Sequence, residues 1–544
     1  MGTRCFTIFG VLIIIFLFGN NVRAQSLSVV SGAFDDYYRS AQLLGEVDST
    51  VSFMVRPLYP SLIYKRDDAF NPLDTALHRN LPFTNNTITL FGQSGKLQIL
   101  PLSLKQQYNS ARPYGWNDGA MIPAKGYQVM ISAGAFFKYG PFSVQFNPEI
   151  VFAQNTSFKG FSGPELYPYT AGIDMPERFG SESYSKLFPG QSSVRLTVGP
   201  ASLGLSSENI WWGPGRRNSL ILSNNAPGFY HLTLNTVKPV KTPVGFFEAQ
   251  ILGGRLENSD IVEKPEDWRY LSGLIFSYQP KWVPGLFLGL TRAFQMYHKD
   301  VDGLSDYIPL FQAFQKEKTN ENDVNRDQLS SVFARWLWKE ENAEIYFEYG
   351  RNDHAVNLRD FLMEPDHSRA YVLGLSKIIP LKGKRLKEFI EINAEVTQLE
   401  TTETSLVREF PIWYIHYQIP SGYTNRGQVL GAGIGPASNL QSLQVSWFNG
   451  LKKLGVQIER YVHNNDYYNA IVGSSNGAVK PWVDFSTGIQ GAWDYKNTIL
   501  SGGLNLIRSK NYQWRQQDYN AELDYIRTPD LYNLQIKLGA MYRF

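Results

Sequence analysis

The sequence predicts an all-β protein, a closed antiparallel β-barrel that crosses a membrane with strands, preceded by a small helical segment. Three observations carry this expectation. Apolar and polar residues alternate with a period of two along most of the chain, and short and long connections between the alternating segments themselves alternate. The 544 residues are also 14% aromatic yet only 19% charged. A disordered chain would lack the 34 Phe, 31 Tyr and 12 Trp. A polytopic helical membrane protein would need repeated apolar runs of about 20 residues, and only the N-terminus has a long one.

That run, residues 6–18, follows Arg4 and precedes the small-residue site Val22-Arg23-Ala24, the pattern of a cleaved secretory signal peptide over 1–24. The single cysteine, Cys5, lies inside it, so the chain from Gln25 onward is expected to hold no thiol, disulfide or Cys metal site. Residues 25–50 form the expected N-terminal periplasmic helical segment, because 34–47 places Tyr38, Ala41, Leu43 and Leu44 on overlapping helical faces. The barrel is expected over 51–544 as one domain. Its weakest strands are 51–57 and a hairpin at 87–104, which suits either barrel wall or a periplasmic cap.

Clearer alternation follows at 128–138, 142–152, 271–278, 286–297, 332–338, 371–379, 389–396, 443–448, 456–461, 482–493 and 498–507. In the last segment Leu534, Ile536, Leu538, Ala540, Tyr542 and Phe544 share one face, and Asn533, Gln535, Lys537 and Arg543 the other. Counting every candidate gives as many as 22 strands. A soluble β-sandwich would alternate in the same way. Connection lengths favour the barrel: tight turns fall at 139–141, 279–285, 339–342, 380–387, 449–453 and 494–497, and long loops at 155–191, 298–328, 351–368, 463–480 and 511–530. Outer-membrane barrels are tight on the periplasmic side and elaborate outside. Residues 307–318, inside one long loop, have helical character. The terminal Phe544 resembles the signal that such barrels offer their insertion machinery.

Segment 206–229 does not read as barrel wall. It packs Trp211, Trp212, Arg216, Arg217, Asn218, Asn224 and Asn225 around two Pro-Gly breaks. Indole faces stack on pyranose rings, and Arg and Asn match hydroxyls and uronic carboxylates, so these seven are the expected sugar-contacting residues. The alternative is a folded-in loop or interface belt anchored by the tryptophans, with the arginines paired to Glu208 or interior acids.

No catalytic, metal or cofactor site is expected. The seven histidines are scattered, and Ser219 with His231 is the most that a nucleophile pair could claim. Asp300, Asp302, Asp306, Asp323 and Asp327 lack the regular spacing of a calcium loop. With 52 Lys+Arg against 49 Asp+Glu, the near-neutral chain argues against nucleic acid as a partner.

The run Trp211-Trp212-Gly213-Pro214-Gly215, followed by Asn218-Ser219-Leu220-Ile221-Leu222-Ser223-Asn224-Asn225-Ala226-Pro227, resembles the signature of the capsule assembly Wzi family. The resemblance implies a closed barrel of eighteen strands (18–22 with the count above) and a small periplasmic helical part. It also implies a lectin-like, non-catalytic role in attaching and assembling capsular or related exported polysaccharide at the cell surface. Arg216-Arg217 is a basic pair at a position where members vary. The resulting expectation is a monomer in the outer membrane, with polysaccharide and outer-membrane lipid as partners. A porin or sugar-specific channel is the alternative, and an outer-membrane hydrolase acting through Ser219 and His231 is a third reading.

Overall fold

The computed structural model describes residues 25–29, 32–63, 70, 87–91, 94–160, 173, 175–258, 268–307, 326–352, 362–364, 366, 368–381, 388–402, 412–416, 418–472, 480–514 and 530–544. The expected signal peptide, the helical stretch beyond Tyr307 and residues 515–529 lie outside them. One antiparallel sheet dominates. Its second half consists of twelve long strands: Gly245–Leu256, Arg269–Pro280, Leu286–Tyr297, Arg326–Trp338, Ala343–Asn352, Arg369–Pro380, Phe389–Gln398, Asn439–Asn449, Lys452–Val462, Val483–Tyr495, Thr498–Lys510 and Leu531–Tyr542. Each pairs with the next in this order. The last one pairs back onto Leu102–Asn109, from Tyr542↔Leu102 to Gln535↔Asn109.

The first half is more broken, and proline and glycine account for the breaks. Gly95–Ile99 and Leu102–Asn109 flank Pro101, Gly126–Ser132 and Ala135–Tyr139 flank Gly134, and Phe142–Phe146 and Glu149–Ala153 flank Pro148. Tyr184–Phe188 and Ser193–Val198 flank Pro189-Gly190, and His231–Thr236 and Val240–Thr242 flank Pro239. Proline has no N–H to give the ladder, and glycine permits the sharp bend that interrupts it. The expected hairpin at 87–104 exists as Thr87–Leu90 paired with Gly95–Ile99 in this sheet. The expected strand at 51–57 shrinks to Val55–Arg56, which lies off the large sheet and pairs with Trp211–Trp212.

Burial decides the question that periodicity leaves open. Asn533 and Gln535 are buried, whereas Leu534 is exposed and Leu538 is 53% exposed. The same inversion recurs with exposed Leu443, Val445, Ile458, Leu500 and Leu504 and buried Ser446, Glu459 and Ser509. A soluble sandwich buries its apolar face; here the polar face is covered and the apolar face is open, as lipid requires. Tyr139, Trp282, Trp336, Trp338, Trp493 and Tyr495 are exposed close to the short turns, an aromatic girdle at one rim.

The helix Gly32–Leu43 lies against the covered face. Tyr38, Ser40, Gln42 and Leu43 are buried, and its charges meet strand residues near the short turns. Arg39 pairs with Glu344 at 2.9 Å, Asp36 with Lys453 at 2.9 Å, and Ser40 Oγ donates to Glu391 at 3.2 Å.

The open face sets a graded expectation. Leu504→Arg, in the middle of its strand, should lower stability by about 2–4 kcal/mol, whereas Tyr532→Arg, near a strand end, should cost about 0–1 kcal/mol. Urea titration of refolding into lipid vesicles measures both, and equal costs would contradict the membrane depth assigned to the two positions.

Candidate functional site

The segment rich in Trp, Arg and Asn does not project outward. It begins where Ala201–Ser206 ends, turns toward the covered face and returns to the sheet at His231–Thr236. Trp211–Trp212 pairs with Val55–Arg56, the Arg56 guanidinium sits 4.7 Å over the Trp211 ring, and Gly213 N donates to Met54 O at 3.0 Å. Trp212 is fully buried, with Nε1 donating to Gln250 Oε1 at 2.8 Å. Its indole lies over Gly273, where an added Cβ would approach ring carbons at 2.8 Å. Leu220, Ile221 and Leu222 are buried in the largest apolar cluster.

Glutamates on the covered face hold this segment. The backbone N–H groups of Arg216, Arg217 and Asn218 all donate to the Glu395 carboxylate at 2.7–3.1 Å, a small anion nest closed around a carboxylate of the protein itself. Tyr346 Oη adds a fourth donor at 2.8 Å. The Arg216 side chain bridges Glu344 at 3.3 Å and Glu391 at 2.7 Å, and Arg217 meets Glu459 at 2.5 Å. Burial works against the Arg216 charge, but Glu391, Glu344 and Asp36 outweigh it and hold its pKa above the ordinary arginine value. Arg335 and Arg39 also converge on Glu344, at 2.6 and 2.9 Å, so three guanidinium groups share one carboxylate.

The asparagines tie the segment to two others that also fold over the covered face. Asn225 Nδ2 donates to Val429 O at 3.0 Å, Asn225 Oδ1 accepts from Asn117 N at 3.1 Å, and Asn224 Nδ2 donates to Asn117 O at 2.9 Å. Asn218 Nδ2 donates to Thr397 Oγ1 at 3.1 Å.

These positions bear directly on the seven residues expected to contact sugar. Trp211, Trp212, Asn218, Asn224 and Asn225 are buried, and Arg216 is 11% exposed. Neither indole offers a free face, because Arg56 covers Trp211 and Trp212 packs against the strand at Gly273. Glu208 pairs with Arg195 at 2.7 Å, and not with Arg216 or Arg217. Arg217, 27% exposed, is the one that borders open space.

That space is a polar cavity of about 130 Å³, bordered by Arg217, Tyr114, Trp116, Gln457, Gln490, Asn505, Gln535 and Lys537. Arg217 Cζ lies 5.7 Å over the Trp116 ring, and Lys537 Nζ pairs with Asp118 at 2.8 Å. A second cavity of about 80 Å³ lies across Tyr114-Gly115-Trp116, toward the long loops. It is strongly aromatic. His463 stacks on Trp482 with centroids 3.6 Å apart, Trp482 meets Tyr512 and Trp514 edge-on, and Arg112 lies over Tyr114, Trp482 and Tyr512 while pairing with Asp484. Burial holds His463 below the ordinary imidazole value, against Asp484 at 2.8 Å. Tyr114, Trp482, Tyr512 and Trp514 are buried at this wall and Trp116 is half-buried, so the surface open to a sugar is the Trp116 indole beside the amides, guanidinium and ammonium of the polar cavity.

Sequence reasoning missed Tyr114, Trp116, Trp482, Tyr512 and Trp514. Their signal was a high density of aromatic residues at the edges of long connections, without a motif to mark it. Ser219 Oγ donates to Trp212 O and His231 Nδ1 meets Phe229 O at 2.8 Å, so the conjectured pair is tied separately to backbone. Asp306 Oδ2 accepts from Asp302 N and Gly303 N, both at 3.1 Å, and Asp327 accepts from Gln295, so these carboxylates serve local turns and the sheet.

Comparison with known proteins places these features in context. Residues 116–522 match the model of the family described as capsule assembly protein Wzi. Among solved structures, the chain is similar to Wzi of Escherichia coli, described as an outer-membrane, carbohydrate-binding β-barrel involved in group 1 capsule assembly. The identity is 13% and the TM-score 0.62, covering 96% of this chain and 100% of that one. Similarity to OccAB2 of Acinetobacter baumannii is weaker, at 12% identity and TM-score 0.40 over 82% of this chain and 98% of that one. OpdK of Pseudomonas aeruginosa with vanillate gives 10% and 0.40 over 83% and 98%. No curated protein sequence matches.

Two outcomes follow from the anchors. Glu344→Ala strips three buried arginines of a shared partner and should cost about 3–5 kcal/mol, and Trp212→Ala should cost a similar 3–5 kcal/mol or so through the void over Gly273. In detergent, near-UV circular dichroism should melt at lower temperature in both, and unchanged melting would refute the anchoring role. The mouth carries a pH dependence as well. Burial pushes Asp466, in the helix Asn465–Val472, up to about 7, with Glu400 adding to the shift against hydrogen bonds from Thr401. A raised folded-state pKa means a stabilising contribution that is complete below about 4 and lost as pH rises through about 7. Hydrogen exchange of this helix should quicken beyond its intrinsic pH dependence over that window, and Asp466→Asn should abolish the extra effect.

Proposed function

Because the chain belongs to the Wzi capsule assembly family, we propose that it is an outer-membrane, lectin-like β-barrel that binds capsular or related exported polysaccharide and helps assemble it at the cell surface. In this reading the sheet is a closed barrel of eighteen strands. Each pair of segments interrupted by Pro or Gly counts as one strand, the Thr87–Leu90 segment is an appendage, and the pairing of Leu531–Tyr542 with Leu102–Asn109 supports closure. Short turns face the periplasm, the helix Gly32–Leu43 caps that end from within, and the long loops face outward. The protein works as a monomer, without cofactor or catalysis.

The observation that carries the glycan reading is the aromatic mouth and the polar cavity beneath it, joined through Tyr114, Gly115 and Trp116. Of the residues singled out from sequence, Arg217 belongs to the contact surface. Trp211, Trp212, Arg216, Asn218, Asn224 and Asn225 act at one remove, by holding the strut that positions Arg217. A single stacked ring contributes only about 1 kcal/mol, so retention of a polymer depends on many copies engaging its repeats. The channel alternative is disfavoured by the three segments and the helix packed against the covered face, and steady conductance in planar bilayers should be absent.

Trp116→Ala and Arg217→Ala should each weaken binding of a matching oligosaccharide by up to roughly tenfold, as read by glycan array and calorimetry. In cells they should shed polymer into the medium while synthesis continues. Unchanged binding in the double variant would overturn this site assignment.

A further inference from the structure

The open face carries a feature that the glycan reading leaves unused. Two rows of outward side chains, each crossing five strands, run over six neighbouring strands: the register Ile345↔Leu375↔Ala394↔Leu443↔Ile458 and, beside it, Leu373↔Val396↔Gln441↔Arg460↔Phe485. Ala394, the smallest side chain in either row, sits between Leu375 and Leu443, so the surface dips there into an apolar groove of about 490 Å³. That volume lies within the range of small-molecule sites.

The groove ends at a charge. Arg460 points outward two positions before the end of Lys452–Val462, on the side of the long loops. Arginine on a lipid-facing strand is costly in mid-bilayer and tolerated near the interface. Its guanidinium is bonded only to amide oxygens, Gln441 Oε1 at 2.9 Å and Asn439 Oδ1 at 3.4 Å, and pairs with no carboxylate among the described residues. The nearby exposed Arg508 is neutralised, by contrast, through Asp530. A cation that meets no counter-ion among the described residues, beside a chain-sized apolar groove and near the strand end, complements an acyl chain that hangs beneath a phosphate.

We propose that this groove seats a phosphorylated, acylated glycolipid of the outer leaflet, with an acyl chain over Ala394 and a phosphate on Arg460. The orientation rests on the reading that long loops face outward, whereas the groove itself depends only on the folded sheet. Such a lipid would fix the protein laterally beside the surface sugars that its mouth meets.

The test uses the full mature chain, delipidated in detergent, with diphosphoryl lipid A as probe and native mass spectrometry as readout. The wild type should retain one lipid A. Arg460→Ala should weaken retention by roughly tenfold, and Ala394→Trp, which fills the groove on an exposed surface, should do the same, whereas Arg508→Ala should have no effect. Heat-modifiable migration verifies that each variant folds. Absent retention by the wild type, equal retention by all variants, or equal displacement by phosphatidylglycerol would overturn the proposal. Oligosaccharide binding measured on the same samples separates the two readings, because the groove variants should keep it intact.

Discussion

The interaction on which the rest of the structure depends is the neutralisation of carboxylates on the covered face of the sheet. A strand that turns leucine and isoleucine toward lipid must turn its alternate residues the other way, and here those include Glu344, Glu348, Glu391, Glu395 and Glu459. Five acids on three strands, each one strand apart from the next, repel one another and lose hydration when covered. They are stable in that position only if something brings donors to them. The chain supplies its own: Arg39 from the helix, Arg216 and Arg217 with three consecutive backbone N–H groups from the folded-in segment, Arg335 from a neighbouring strand, and Leu220 N with Ser331 Oγ for Glu348.

That requirement explains why a segment rich in tryptophan, arginine and asparagine lies inside. Its arginines are counter-ions, its asparagines fasten it to neighbouring segments, and its indoles occupy places that the sheet leaves for them. Gly273 lies flat beneath Trp212, and Gly350 makes similar room for Trp413 and Leu220. A side chain larger than hydrogen at either position would strike an aromatic ring. Strut and wall are therefore one packed unit, and the cavities lie at its edge.

What is left over is chemically distinct from what was filled. The five glutamates have donors, and toward the long loops the cavities are bordered by aromatic rings and amides, with Trp116 and Arg217 at the junction. An interior braced by ion pairs and a mouth lined with rings divide the labour between rigidity and adaptable contact.

The sequence by itself determined the all-β class, most of the long strands, the two faces of the last of them, the tight turns and a helix near the N-terminus. Each of these is written locally: alternation within ten residues sets which side of a strand is apolar, and Pro or Gly sets where a ladder breaks. It also identified segment 206–229 as something other than wall. Which way that segment pointed was decided only by the tertiary structure. Outward, Trp211 and Trp212 would have been free to stack on sugar; inward, they are packing. The choice depends on Glu395, 179 positions from Arg216, and on Gly273 and Glu344, which lie between the two in the chain. Composition shows donors and acceptors in balance, but only the closing of distant strands beside one another reveals which of them meet.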